Sequence, residues 1–341
     1  MEITLAKIGI TVLWTFLYLY VIVGSIDFGA GFFSYYSRLR KQDRAINHII
    51  DRYLFPVWEV TNVFLVFFFV GIVGFFPDTA YYFGTALLIP GSVALILLAI
   101  RGSFYAFANY GARESNVYLF FYALTSWFLP ASLATVLTIS EGGFIKKVDG
   151  QVQLLPTKLL FSPYSWTVVL LALVSVLFIS SSFLTYYARR AEDREAEDVL
   201  RTYALGWSGP TIVASGLVFF TLRLHNPQHF QAMVDIAWVF LLSLACFVAA
   251  TVLIFRRRAY GWAFLLVMLQ FLFAFFGYGA SHLPYILYPH VTISSVTSTA
   301  MGTALVAAFV AGLLLLIPSL VFLMRLFLFS SAYVKGEKVR E

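Results

Sequence analysis

Apolar residues run in continuous stretches of span length, separated by short polar connections. About 20 apolar residues in a helix cross a bilayer's hydrocarbon core. The runs are unbroken and not alternating, which separates them from the strands of an outer-membrane barrel. The pattern predicts helices at 8–36, 54–76, 80–108, 117–140, 164–188, 204–224, 232–255, 260–280 and 302–329. The expected fold class is an all-α integral membrane protein with about nine transmembrane helices.

A weak internal repeat organises these spans. Phe32-Phe33-Ser34-Tyr35-Tyr36-Ser37-Arg38 is similar to Phe183-Leu184-Thr185-Tyr186-Tyr187-Ala188-Arg189. Each stretch leads into a charged loop that runs on to a Tyr and a Trp, Tyr53 and Trp58 in one case, Tyr203 and Trp207 in the other. Two copies in parallel orientation imply an axis along the membrane normal. The expected division is 1–140 as a first four-helix unit, 141–163 as a plain external loop, and 164–281 as a second four-helix unit. It continues with 282–300 as an external loop and 301–341 as a peripheral ninth helix with a cytoplasmic tail.

Charge orients the bundle. Nine spans put Arg38, Arg40, Lys41, Arg44, Arg52, Arg113, Arg189, Arg190, Arg194, Arg201, Arg256, Arg257, Arg258, Lys335, Lys338 and Arg340 on one side. Lys7, Lys146, Lys147, Lys158 and Arg223 fall on the other. By the positive-inside rule the N-terminus is external and the C-terminus cytoplasmic. The formal charge of +6 therefore reads as membrane topology and not as a nucleic-acid surface. The lone Cys246 excludes an intrachain disulfide and a cysteine metal cage.

Three ionisable groups break the apolar pattern. Asp27 lies in the first run, Glu59 in the second and Arg101 in the third. Each charge near a bilayer centre costs roughly 2.5–3.5 kcal/mol on insertion scales. Three unpaired charges would consume much of the roughly 5–15 kcal/mol by which a folded protein is stable. Counted along a helix, Asp27 lies roughly 16 Å from Arg38, Glu59 roughly 10 Å from Arg52, and Arg101 roughly 18 Å from Arg113. The three thus share a depth in the cytoplasmic half. Thr61 and Asn62 add polar atoms beside Glu59. Two compatible roles follow: a proton path through Asp27 and Glu59 with Arg101 as charge partner, or an acid–Arg pair fastening helices. Gly24, Gly29 and Gly31 flank Asp27 and permit close helix approach.

Cofactor motifs are absent from the spans. His48, His225, His229, His282 and His290 map to loops or span ends, and Pro227 separates His225 from His229. Met233, Met268, Met301 and Met324 have no histidine at mid-depth beside them. The chain is expected to bind no haem, whose iron needs such an axial ligand. It carries no P-loop, dinucleotide fingerprint or His-Glu metal motif, so no metal site is expected.

Asp27-Phe28-Gly29-Ala30-Gly31, Trp58-Glu59-Val60-Thr61-Asn62-Val63-Phe64-Leu65 and Arg101-Gly102 resemble subunit II of cytochrome bd-type quinol oxidases. Span number agrees along the whole chain, and the first half carries the specific motifs. Val60 and Thr61 stand where that family usually has Gly-Asn, and Phe64 stands in place of Trp. Ala106 and Ala108 replace a further acid and Arg. The resemblance implies a haem-free accessory subunit in a heterodimer with a haem-bearing subunit I. That partner would hold haem b and haem d, or a haem b variant, with quinol as the substrate. Further candidates in such an assembly are a small single-helix subunit, lipids and quinone. The implied place is a bacterial or archaeal cytoplasmic membrane. A stand-alone proton-coupled transporter and a purely structural membrane scaffold are the alternatives.

Overall fold

The structure, a computed structural model, describes residues 2–108, 116–149, 151–294 and 299–325, with the side chains of 2–4, 53–60, 105–108 and 299 excepted. Arg113, Lys335, Lys338 and Arg340 lie outside the described residues, as do the side chains of Glu59, Ala106 and Ala108.

The chain is almost wholly helical. Its first half comprises α1 (Glu2–Leu39), α2 (Asp43–Phe75), α3 (Pro77–Ala86), α4 (Leu88–Ala108) and α5 (Asn116–Ser140). A hairpin of β1 (Ile145–Val148) and β2 (Gln151–Leu154) and the short α6 (Pro156–Phe161) lead into the second half. There α7 (Pro163–Arg190), α8 (Arg194–His225), α9 (Pro227–Asp235), α10 (Ala237–Phe255) and α11 (Tyr260–His282) follow. A second hairpin, β3 (Tyr285–Leu287) and β4 (Val291–Thr292), precedes α12 (Thr299–Leu323).

Local chemistry sets the helix starts. Proline occupies the first turn of α3, α6, α7 and α9, where its missing N–H costs nothing. The Ser162, Asp193 and Asn226 side chains accept from Ser165 N, Ala196 N and His229 N, capping α7, α8 and α9. The Asp193 cap makes the charged stretch from Arg194 the opening of α8.

Among the described residues seven helices are long and apolar enough to cross a membrane, or eight if the α3–α4 pair is one span, so the protein is a multi-pass membrane protein. Thr61–Phe75, the described apolar part of α2, is a shorter apolar helix. The run expected as one span over 80–108 is broken: α3 and α4 meet at 83°. Pro90 supplies the reason. It has no N–H to give the Ala86 carbonyl, and its ring crowds that carbonyl, which favours a break at Leu87, although Pro130, Pro210 and Pro318 lie inside helices that continue. The connections at 141–163 and 282–300 are also not plain loops, since each folds into a hairpin.

The core forms around α1 and α7. Every residue of α7 from Val174 to Thr185 is buried, as expected of a helix enclosed by others. It packs on α1, α5, α8 and α11, while α1 also packs on α2, α5 and α12. At the other extreme, 6% of the apolar window of α12 is buried, and that helix leans on α1 and α2. The α1–α2 connection is tied to the α7–α8 connection. His48 meets Asp193 at 2.8 Å, and the Tyr203 hydroxyl donates to Gln42 at 2.7 Å.

Candidate functional site

Two buried polar clusters stand out among the described residues. The first is built on Arg101, whose side chain is 1% exposed, and Asp27, whose side chain is 4% exposed. Arg101 projects from α4 toward α1 and α5. Its Nε donates to Asp27 Oδ2 at 3.1 Å and its Nη2 to Asp27 Oδ1 at 3.0 Å, a two-pronged grip on the carboxylate. Nη2 also donates to the Asp27 carbonyl at 2.9 Å and the Tyr122 hydroxyl at 3.0 Å. Nη1 donates to Ser126 Oγ at 2.8 Å and Thr125 Oγ1 at 3.4 Å. Every guanidinium nitrogen thus has an acceptor, and the group is also flanked by the Tyr122 and Phe28 rings, 4.2 and 5.3 Å away. The charge is neutralised, its donors are satisfied, and three helices are tied at one point.

Glycine makes this approach possible. A Cβ on Gly29 would lie 2.2 Å from Ser180 Cβ and 2.9 Å from the Val176 carbonyl oxygen, so α1 and α7 touch there backbone to backbone. The Ser180 hydroxyl then donates across the contact to the Ile26 carbonyl at 3.0 Å. Gly31 leaves room in the same way for Ser126, Tyr122 and Arg101. Gly24 is different: its nearest neighbours, Phe28 and Tyr20, stand at ordinary contact distance.

The expected site residues are therefore divided. Asp27 and Arg101 are joined directly. Thr61 is buried and Asn62 partly buried on α2, each with an interaction of its own. Glu59 lies on α2 with its side chain outside the described residues.

The second cluster has no counterpart in the sequence reading. Glu141, the residue after α5, is buried. Its Oε1 lies 2.8 Å from Nδ1 of His229 in the first turn of α9, and 3.4 Å from Nδ1 of His282 at the end of α11. The Tyr278 hydroxyl donates to Oε1, and Asn226 Nδ2 donates to Oε2 at 3.0 Å. Burial pushes the Glu141 carboxyl up. The His229 hydrogen bond, the charges of His282 and His229 and the Tyr278 hydrogen bond outweigh it, and hold the group below its ordinary range. The turn that places Glu141 requires glycine. Gly142 has φ +83°, and a Cβ there would sit 2.4 Å from the Tyr288 carbonyl oxygen. Tyr288 N donates to the Ser140 carbonyl at 2.9 Å, pinning the second hairpin onto the same corner. A cavity of about 440 Å³ opens here, with Glu141, His225, Asn226, Gln228 and Tyr288 on its wall. The three ligand-type residues come from three separate elements, so no local spacing announces them. The one available signal is an acid placed directly at a span end.

Comparison with known proteins matches residues 5–327 to a family model described as cytochrome bd terminal oxidase subunit II. A Bacillus subtilis (strain 168) protein with the provisional name cytochrome bd menaquinol oxidase subunit II is 33% identical over 342 residues, covering 98% of each chain. A chain in the structure of the bd oxidase from Geobacillus thermodenitrificans is 58% identical and superposes with a TM-score of 0.84, covering 96% of this chain and 99% of that one.

Proposed function

This chain belongs to the cytochrome bd terminal oxidase subunit II family, and from that premise we propose that it is the haem-free half of a heterodimer with a haem-bearing subunit I. The complex is a terminal quinol oxidase, an oxidoreductase that uses haems and quinol. In this reading the chain crosses the membrane nine times with its N-terminus outside, stabilises subunit I, and helps deliver protons to it from the cytoplasm.

The observation that carries the structural half of this reading is the completeness of the Arg101 shell. A relay needs a carboxyl that gives and regains a proton. The Asp27 carboxylate has an Arg101 donor on each oxygen, so both oxygens are committed to the pair. Asp27 with Arg101 is thus the fastener of α1, α4 and α5, and Glu59 is the member of the path that carries the proton. Thr61 and Asn62 are the supporting polar groups on the same helix. The family match supports the oxidase subunit over the stand-alone transporter.

Two measurements test the reading. The purified two-subunit complex is expected to show the full haem absorption spectrum, with this chain after separation retaining none. Stoichiometric haem on the separated chain would overturn the haem-free assignment. Glu59→Gln is expected to assemble with a normal haem spectrum and to turn over at least about tenfold more slowly, a barrier rise of about 1.4 kcal/mol. Glu59→Asp should keep part of the rate. Wild-type turnover with wild-type proton uptake in Glu59→Gln would remove Glu59 from the path.

A further inference from the structure

We propose that Glu141, His229 and His282 form a binding site for a divalent ion of the zinc class, at the corner where α5 and α11 end and α9 begins. One ligand atom from each residue can be chosen so that all three lie within 4.8 Å of one another. Two imidazoles and a carboxylate are an established ligand set for zinc, and tetrahedral bonds of about 2.0–2.1 Å separate neighbouring ligand atoms by about 3.3 Å. The Glu141–His282 separation of 3.4 Å already matches, and the Glu141–His229 separation of 2.8 Å needs to open by a fraction of an ångström.

The neighbouring hydrogen bonds add to the distances. Ser281 Oγ reaches back to the helix carbonyls of Gly277 and Tyr278, at 3.0 and 2.9 Å, as helical serines do. His229 Nε2 lies 2.8 Å from the same oxygen, a contact that either ring tautomer can make. On a ring with its hydrogen on Nε2, the Nδ1 lone pair faces a carboxylate oxygen that already accepts from Tyr278, and a cation joins the two acceptors. The Ser281 contact is also the outer bond that typically fixes the tautomer of a metal-bound histidine. His282 presents Nδ1 to Glu141, while its buried Nε2 has no hydrogen-bond partner among the described residues, so its ring lacks the outer contact that His229 has. The cavity beside Glu141 gives an ion a way in, and Asn226 steadies the second carboxylate oxygen. A hydrogen on His229 Nδ1 satisfies the same pair without a metal, so the test must separate the two.

The intact complex, stripped with a chelator and then given one equivalent of zinc chloride, is expected to bind it with two imidazoles in the zinc X-ray absorption spectrum. His282→Ala should weaken binding by about 100-fold or more, and Ser281→Ala by about 10-fold through the lost outer contact. No uptake at one equivalent would overturn the site in favour of the hydrogen-bonded pair. So would a zinc spectrum lacking two imidazoles, or an affinity unmoved by Ser281→Ala and His282→Ala. Should His282→Ala fail to assemble, the wild-type spectrum and Ser281→Ala decide the matter alone.

Discussion

Arg101→Leu is expected to abolish most of the assembled complex while leaving turnover per haem unchanged in what survives. The substitution strands the Asp27 carboxylate among buried groups, with nothing to replace the two guanidinium nitrogens that held it. Breaking a buried pair from one side costs roughly 3–5 kcal/mol, a large part of the roughly 5–15 kcal/mol available to a folded protein. Asp27→Asn should be harmful in the same sense, because it leaves the guanidinium charge uncompensated. Removing both charges together is a different perturbation. Thr125 and Ser126 already donate their hydroxyl protons to the Tyr122 carbonyl, at 2.8 and 2.9 Å, so those protons stay bonded when Arg101 leaves and only the oxygens lose the Nη1 donor. Asp27→Asn combined with Arg101→Met is therefore expected to recover at least half of the lost yield, since a well-packed apolar replacement of a buried pair is often close to neutral. Yield of haem-bearing complex per membrane, with its thermal midpoint, provides the readout. Full assembly of Arg101→Leu would sink the fastener and return Asp27 to the proton path.

Gly29→Leu is expected to disrupt assembly as severely, and Gly29→Ala to lower the thermal stability of the complex measurably. The Cβ of either residue lands on Ser180 Cβ at 2.2 Å and near the Val176 carbonyl at 2.9 Å. A backbone atom cannot rotate aside, so α1 and α7 must separate. Overpacking costs about 1–3 kcal/mol for added methylenes, occasionally more. Separation here would also break the Ser180 bond to Ile26 and shift the carboxylate that Arg101 grips. Ser180→Gly in the Gly29→Ala background should restore part of the loss, a coupling that a double-mutant cycle reads directly. Gly24→Ala is the control, with side-chain neighbours no nearer than 3.4 Å, and should leave the midpoint within about 0.5 kcal/mol of wild type. A Gly29→Ala complex as stable as Gly24→Ala would show that the α1–α7 contact has slack.

Much of this protein is dictated by one-dimensional chemistry. Apolar runs of span length can be satisfied in a bilayer only by helices that close their own hydrogen bonds, so the helical class follows from the sequence pattern. The cost of burying charge singles out Asp27 and Arg101 before any coordinates are known, because such groups need partners wherever they sit. The family motifs are contiguous stretches and are legible for the same reason. Tertiary structure decided what depends on several elements meeting. It joined Asp27 to Arg101 across 74 positions of sequence and gave the guanidinium its other acceptors on α5. It distinguished Gly29 from Gly24, which look alike in sequence but face a backbone in one case and flexible rings in the other. Pro90 permits the break in the third run at Leu87, but Pro130, Pro210 and Pro318 lie inside helices that continue, so packing decided which proline marks a break. Glu141, His229 and His282 could not be grouped from spacing. They stand at the ends of helices brought to one corner by packing, and ligand geometry arises there from three-dimensional proximity alone.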